Sequence, residues 1–257
     1  MEDSKFLQVA KEAAIEAGKI VKKYYRSELE LHGKGHVANF ATKADLESEA
    51  KVIEVIKKYF PEHNIIGEEG GEIDNGSEYC WIIDPIDGTI PFVDGISTFG
   101  VSVGLFKNKK PFVGVINMVA QDDLFWAEEG KGAFKNGNRI QIRQQSDLEN
   151  CTLALEFGHT NRQTRIEKHF KPIVSKVRYA YVFGSAVKAL TSVAEGVLDA
   201  CLIRAHPWDF AAGVIMITEA GGRVSDPQGK EPDYLASTFE LLCSNGLVHE
   251  ELIKVFS

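Results

Sequence analysis

Residues 3–26 carry apolar side chains at three- and four-residue steps: Phe6, Leu7, Ala10, Ala13, Ala14, Ala17, Ile20, Val21 and Tyr24. That spacing predicts one amphipathic helix, with Asp3 or Ser4 placed to cap its start. A second stripe, Leu46, Ala50, Val52, Ile53, Ile56 and Phe60, predicts a helix opened by Asp45 and stopped by Pro61. Between them, residues 31–40 hold two glycines and no period, which predicts a mobile loop. From residue 64 the pattern shortens. Runs at 64–69, 81–83, 99–106, 111–119, 124–127 and 132–134 read as strands, with turns at 108–110 and at Asn136-Gly137. A meander of antiparallel strands is the simplest account. Beyond residue 150, strands at 152–156, 178–182, 200–203 and 241–243 alternate with helical runs. These lie at 161–174, 187–196, from Pro207 to the stop at Gly221-Gly222, and at 248–256.

Composition adds limits. The 257 residues suit one large domain or two joined halves, and 44% hydrophobic content provides a core. The polar stretch 144–150 places a seam, giving halves 1–147 and 148–257. A net charge of −8 argues against nucleic acid or an anionic membrane as partner. It would also repel a phosphate substrate unless bound cations reverse the sign locally. The four cysteines have no C-x-x-C spacing, and Cys151, Cys201 and Cys243 sit in apolar runs. Buried free thiols fit a reducing, cytoplasmic setting. No signal peptide and no membrane-length apolar run is visible.

The candidate chemistry centres on Trp81-Ile82-Ile83-Asp84-Pro85-Ile86-Asp87-Gly88-Thr89. An apolar strand ends in two carboxylates three positions apart, with Pro85 fixing the turn. Asp84, Asp87 and the Ile86 carbonyl can then face one point, a donor set for a hard cation such as Mg²⁺. Free N–H groups at Gly88-Thr89, ahead of Pro91, attract phosphate. An ordinary Asp-Pro turn whose second Asp caps a helix would look the same. Glu68-Glu69 also reads as a solvated turn, and Asp209 as a first-turn acid matching the helix dipole.

Three ordered segments change that balance. Gly67-Glu68-Glu69, Asp84-Pro85-Ile86-Asp87-Gly88-Thr89 with Phe92, and Pro207-Trp208-Asp209 through Gly213 resemble the signatures of the inositol monophosphatase family. Gly130-Lys131-Gly132-Ala133-Phe134 and Glu219-Ala220-Gly221-Gly222 match as well. The resemblance implies an α/β (α+β) fold, a five-layered α-β-α-β-α sandwich, in a homodimeric, Mg²⁺-dependent, Li⁺-sensitive phosphatase. It assigns Glu68, Asp84 and the Ile86 carbonyl to one Mg²⁺, and Asp84, Asp87 and Asp209 to a second. Lys34 falls on a loop near a weaker third ion. Gly88 and Thr89, beside Asp87, would bind phosphate, while Asp45 pairs with Thr89 and, with Glu68, orients a metal-activated water for in-line attack. Gly184, Ser185, Ala186, His159 and Arg204 are the substrate-side candidates. Residues 1–147 then form the metal- and phosphate-binding half, and 148–257 the substrate-binding half.

The substrate side departs from inositol-specific members. Ile90-Pro91-Phe92 replaces Thr-Asn-Phe, Leu202-Ile203-Arg204-Ala205-His206 lacks their glutamate, and His159 replaces a serine. A site that reads hydroxyls needs its polar partners. Inositol monophosphate is the family's default substrate. Gly95 and Phe99-Gly100 are similar to histidinol-phosphate phosphatases, so histidinol phosphate or a sugar or polyol phosphate, including fructose 1,6-bisphosphate, is the alternative. Arg204 reads first as a strand-end cation in solvent, and His159 and His206 as polar loop residues. A silent regulatory relative would have broken ligand positions, and these are intact. A nucleotide phosphatase would need an adenine platform that is not evident.

Overall fold

The computed structural model describes residues 2–36, 39–158 and 161–256. Helix α1 (Lys5–Tyr24) begins at Ser4, whose side chain accepts from the Leu7 amide, and it buries the predicted alanine-rich stripe. Strands β1 (Leu31–His36) and β2 (Asn39–Thr42) pair antiparallel with an irregularity between Gly33 and His36. This two-stranded ribbon replaces the loop expected there, because backbone pairing does not require a side-chain period. Helix α2 (Lys43–Tyr59) starts two residues before Asp45. Thr42 is its cap, and Asp45 closes a capping box from the third position.

The first sheet has eight strands, all drawn from residues 64–140. They are β3 (Asn64–Gly67), β4 (Gly71–Ile73), β5 (Tyr79–Asp87), β6 (Gly100–Lys107), β7 (Lys110–Met118), β8 (Asp123–Glu128), β9 (Gly132–Lys135) and β10 (Asn138–Ile140). The order is β10-β9-β8-β7-β6-β5-β3-β4, an antiparallel meander apart from the parallel β3–β5 pair. Asn108 and Lys109, and Asn136 and Gly137, all have positive φ, the geometry two-residue hairpins require. A five-residue helix, α3 (Thr89–Val93), follows β5.

The second sheet holds β11 (Thr152–Glu156), β12 (Tyr179–Tyr181), β13 (Ala200–Ala205), β14 (Arg223–Ser225) and β15 (Phe239–Ser244), in the order β12-β11-β13-β15-β14. Between β11 and β12 run α4 (Arg162–Arg165), a π-turn at Ile166–Phe170 and α5 (Lys171–Val174). Helices α6 (Ala186–Ala194) and α7 (Pro207–Glu219) lie between the sheets, and α8 (His249–Phe256) covers the outer face of the second. With α1 and α2 on the outer face of the first sheet, the layers run α-β-α-β-α.

Glycines set the spacing of the middle layers. A Cβ on Gly104 would fall 2.8 Å from Ala211 Cβ, and one on Gly114 only 2.2 Å from the Ala212 carbonyl oxygen. Gly213 sits equally close to Leu190 of α6. Helix α7 therefore lies almost on the backbone of β6 and β7, which brings its first turn beside the end of β5.

Candidate active site

The β5–β6 register explains how Asp84 and Asp87 come to work together. Asp84 faces Ser102 and Asp87 faces Gly100, so β5 holds one residue more than its partner across that interval. In an unbroken strand, side chains three positions apart point to opposite faces. The bulge restores a common direction, and Pro85, which has no N–H to donate, suits such a break. Asp209 arrives from the first turn of α7. Oxygens of Asp84, Asp87 and Asp209 lie within 4.8 Å of one another.

This is a costly grouping without a cation. Asp84 is 1% exposed and Asp87 6%. Burial, followed by the neighbouring carboxylates of Glu68, Asp87 and Asp209, holds the Asp84 carboxyl well above the ordinary carboxylate range. Asp209 is raised in the same way by burial and by Asp87. Asp87 is raised less, to about 6, because hydrogen bonds to its charged form oppose the burial. Those bonds come from the Ser185 hydroxyl, from Ala186 N at 3.1 Å and from Val187 N at 3.0 Å. A buried set of oxygen donors with mutually raised pKa values fits a hard divalent cation.

Asp209 does sit in the first turn of α7, as its reading as a first-turn acid has it, and it also closes a capping box. One of its oxygens accepts the His206 amide at 2.7 Å, so the residue caps the start of a helix and belongs to the cluster at once. His206, read as a loop residue, is the N-cap of α7, with its ring stacked on Trp208 at 4.7 Å. Asp84 is tied internally by the Ile86 amide at 2.9 Å. The Thr89 hydroxyl donates to the Ile86 carbonyl at 3.2 Å. Asp45 instead accepts from the amide and hydroxyl of Thr42, at 2.7 and 2.6 Å. The Asp45–Thr89 pair implied by the resemblance is thus not hydrogen-bonded here: each partner is engaged locally. The second oxygen of Asp45, Oδ1, is buried without a partner, and burial pushes its carboxyl up to about 7.

Asp84, Asp87 and Asp209 line a cleft of about 580 Å³, whereas Asp45 is not among its lining residues. Glu68, Ile86, Gly88, Thr89, Gly184, Ser185 and Ala186 line it too. Arg204 lines it as well, half-buried, with Nη2 3.3 Å from Thr238 Oγ1, so the solvent-facing reading of that residue is corrected. Register explains the difference: Arg204 pairs with Glu240 inside β13–β15 and does not end the strand. His159 lies outside the described residues, as does the side chain of Lys34.

Two acids were not singled out from the sequence. Glu49, 3% exposed, accepts the Glu69 amide at 2.9 Å and also the Gly70 amide, which fastens the turn carrying Glu68. Its signal was available: Asp45, Glu49, Val52 and Ile56 fall on one helical stripe, and an acid on an apolar stripe needs a partner. Glu156, at the end of β11, accepts from Phe183 N and Gly184 N at 2.7 and 3.0 Å. Those donors are 27 and 28 residues away, beyond any local pattern.

A profile of the Inositol monophosphatase family matches residues 2–257. The chain is 34% identical over 261 residues to "Fructose-1,6-bisphosphatase/inositol-1-monophosphatase" of Aquifex aeolicus, covering 98% of this chain and 95% of that one. It is 37% identical over 262 residues to inositol monophosphatase 3 of Solanum lycopersicum, covering 98% and 96%. Among solved structures, the extragenic suppressor protein SuhB of Bartonella henselae superposes with a TM-score of 0.93 at 30% identity over 99% of each chain. The chain therefore belongs to the inositol monophosphatase family, a family of metal-dependent phosphoric monoester hydrolases.

Proposed function

We propose that this phosphatase uses Mg²⁺ to hydrolyse a small phosphomonoester, with inositol monophosphate as the first substrate to try. The observation that carries this reading is the meeting of Asp84, Asp87 and Asp209 within 4.8 Å on the floor of a substrate-sized cleft. Glu68, Asp84 and the Ile86 carbonyl would hold one ion, and Asp84, Asp87 and Asp209 a second; the family resemblance adds a weaker third ion, with Lys34 on a loop near it. When bound, the ions supply the positive charge that stabilises the attacking and leaving oxygens of an in-line displacement. Gly88 and Thr89 hold the phosphate through N–H groups and the Thr89 hydroxyl. Asp45 and Glu68 would orient the attacking water, a role for Asp45 that its buried and unpartnered Oδ1 supports. Residues 1–147 form the metal and phosphate half and 148–257 the substrate half, the latter contributing Gly184, Ser185, Ala186, His159 and Arg204.

A sugar bisphosphate is the second reading. Arg162 and Arg204 both line the cleft and suit a second anionic group, and the Aquifex aeolicus relative carries both activities in its name. Phosphate release from a panel of inositol, histidinol and sugar phosphates, with and without Mg²⁺, decides between them. Turnover that survives excess chelator would rule out the metal reading. Asp87→Asn is expected to abolish turnover and leave the fold intact.

We place the enzyme in the cytoplasm as a homodimer. The four free thiols support a reducing compartment, and the family resemblance supports the dimer. Light scattering tests the latter. Among the described residues, no helix is long and apolar enough to cross a membrane.

A further inference from the structure

We propose that Glu156 is a positioning residue for the metal-binding carboxylate of Asp87, acting through the turn at residues 183–185; this rests on the reading of Asp87 as a ligand. Glu156 ends β11 in the second sheet, and its two oxygens take consecutive amides, Phe183 N at 2.7 Å and Gly184 N at 3.0 Å. From the other side, the Thr98 hydroxyl donates to the Phe183 carbonyl at 3.0 Å. The turn is thus gripped at both its N–H and C=O groups.

Its backbone leaves little room to move. Gly184 has φ +70°, and a Cβ there would meet Pro91 Cγ at 3.2 Å. Opposite, a Cβ on Gly88 would meet Ser185 Cβ at 3.1 Å. Ser185, fixed next in the chain, donates its hydroxyl to Asp87 and accepts from Lys188 N at 3.1 Å as the cap of α6. Ala186 N and Val187 N complete the hold on Asp87. Three of the donors that aim Asp87 therefore lie at the end of, or immediately after, the turn that Glu156 secures. Partners that orient a metal ligand commonly affect affinity by about 10–100-fold.

Glu156→Gln is the informative variant, because it keeps the shape and turns one acceptor into an N–H donor facing an amide. The divalent dissociation constant, measured by calorimetry with Mg²⁺ and Mn²⁺ in the absence of substrate, is expected to rise about tenfold. The metal concentration for half-maximal rate should rise in parallel, with the substrate KM at saturating metal little changed. In combination with Ser185→Ala, the loss should be much less than the sum of the single losses, because both changes act on one link. Unchanged metal affinity with only a lower Tm would overturn the proposal, as would a raised KM with metal affinity intact or strict additivity with Ser185→Ala. If wild-type protein binds no divalent ion, the underlying ligand reading fails, an outcome distinct from a normal wild type with an unaffected Glu156→Gln.

Discussion

Glu219, the last residue of α7, accepts the amide of Gly132 at 2.7 Å, and its other oxygen takes the amide of Gly130 at 2.8 Å. Two separate glycine-bearing segments of the sequence are thereby one clamp, joining the middle helix to the β8–β9 turn. Gly130 and Gly132 both have positive φ, a conformation glycine adopts without steric cost and that this turn uses to aim both amides at Glu219. Glu219→Ala should destabilise the protein by about 1 kcal/mol, since the Gly132 amide is partly buried while the exposed Gly130 amide can turn to water. Urea unfolding should show the lower midpoint. Mg²⁺ affinity by calorimetry should stay at the wild-type value, since the clamp is remote from Asp84.

Asp209→Asn should separate stability from activity. The change removes one charge from the buried cluster while leaving an oxygen to accept the His206 amide. In chelator at pH 8 the variant should be more stable than wild type by about 1–3 kcal/mol, since it relieves a like-charge repulsion. Phosphatase activity should fall to background. Thermal unfolding paired with a phosphate-release assay checks both halves of this expectation.

The metal-free protein should lose stability as pH rises. Asp87 is raised to about 6 and Asp45 to about 7, from an ordinary value of 3.8. A folded-state pKa above the unfolded one favours the protonated native state. Its contribution is full below about pH 4 and is lost as pH climbs through 6 and 7. In chelator, Tm at pH 5.5 should therefore exceed Tm at pH 8. Saturating Mg²⁺ should reverse that order, because it requires the ionised carboxylates, and its binding near pH 6 should release protons. Scanning calorimetry across pH, with and without Mg²⁺, tests the sign.

Gly114→Ala should act on the catalytic centre from a distance. Its new methyl would lie 2.2 Å from the Ala212 carbonyl oxygen, so α7 and β7 must separate. We expect a loss of about 3 kcal/mol. The same shift moves the start of α7, and with it Asp209, so metal affinity should fall as well. A structure of the variant should show that displacement.

Much of this architecture was legible because it is local. The α1 stripe, the Asn108-Lys109 and Asn136-Gly137 hairpins and the Pro207 helix start each state their conformation within a few residues. The carboxylate cluster was legible from the Asp84–Asp87 spacing together with the family-like segment around Asp209. What escaped was either short or distant. Strands β4 and β14, three residues each, sit at sheet edges with no apolar alternation to mark them. The ribbon of β1 and β2 rests on backbone pairing. Thr42, rather than Asp45, caps α2, since a capping box puts its acid three positions inside the helix. Glu156 escaped because its partners are brought to it only by the second sheet.

The extra residue in β5 also bears on how the enzyme can change over evolutionary time. It seats Asp84 and Asp87 in the interior of an eight-stranded sheet, among the last regions of a protein to open spontaneously. The walls of the cleft come instead from strand ends, connecting segments and short helical turns such as α3 and α4. Exchanging wall residues can then alter the cleft without disturbing the strand that carries Asp84 and Asp87 of the carboxylate cluster.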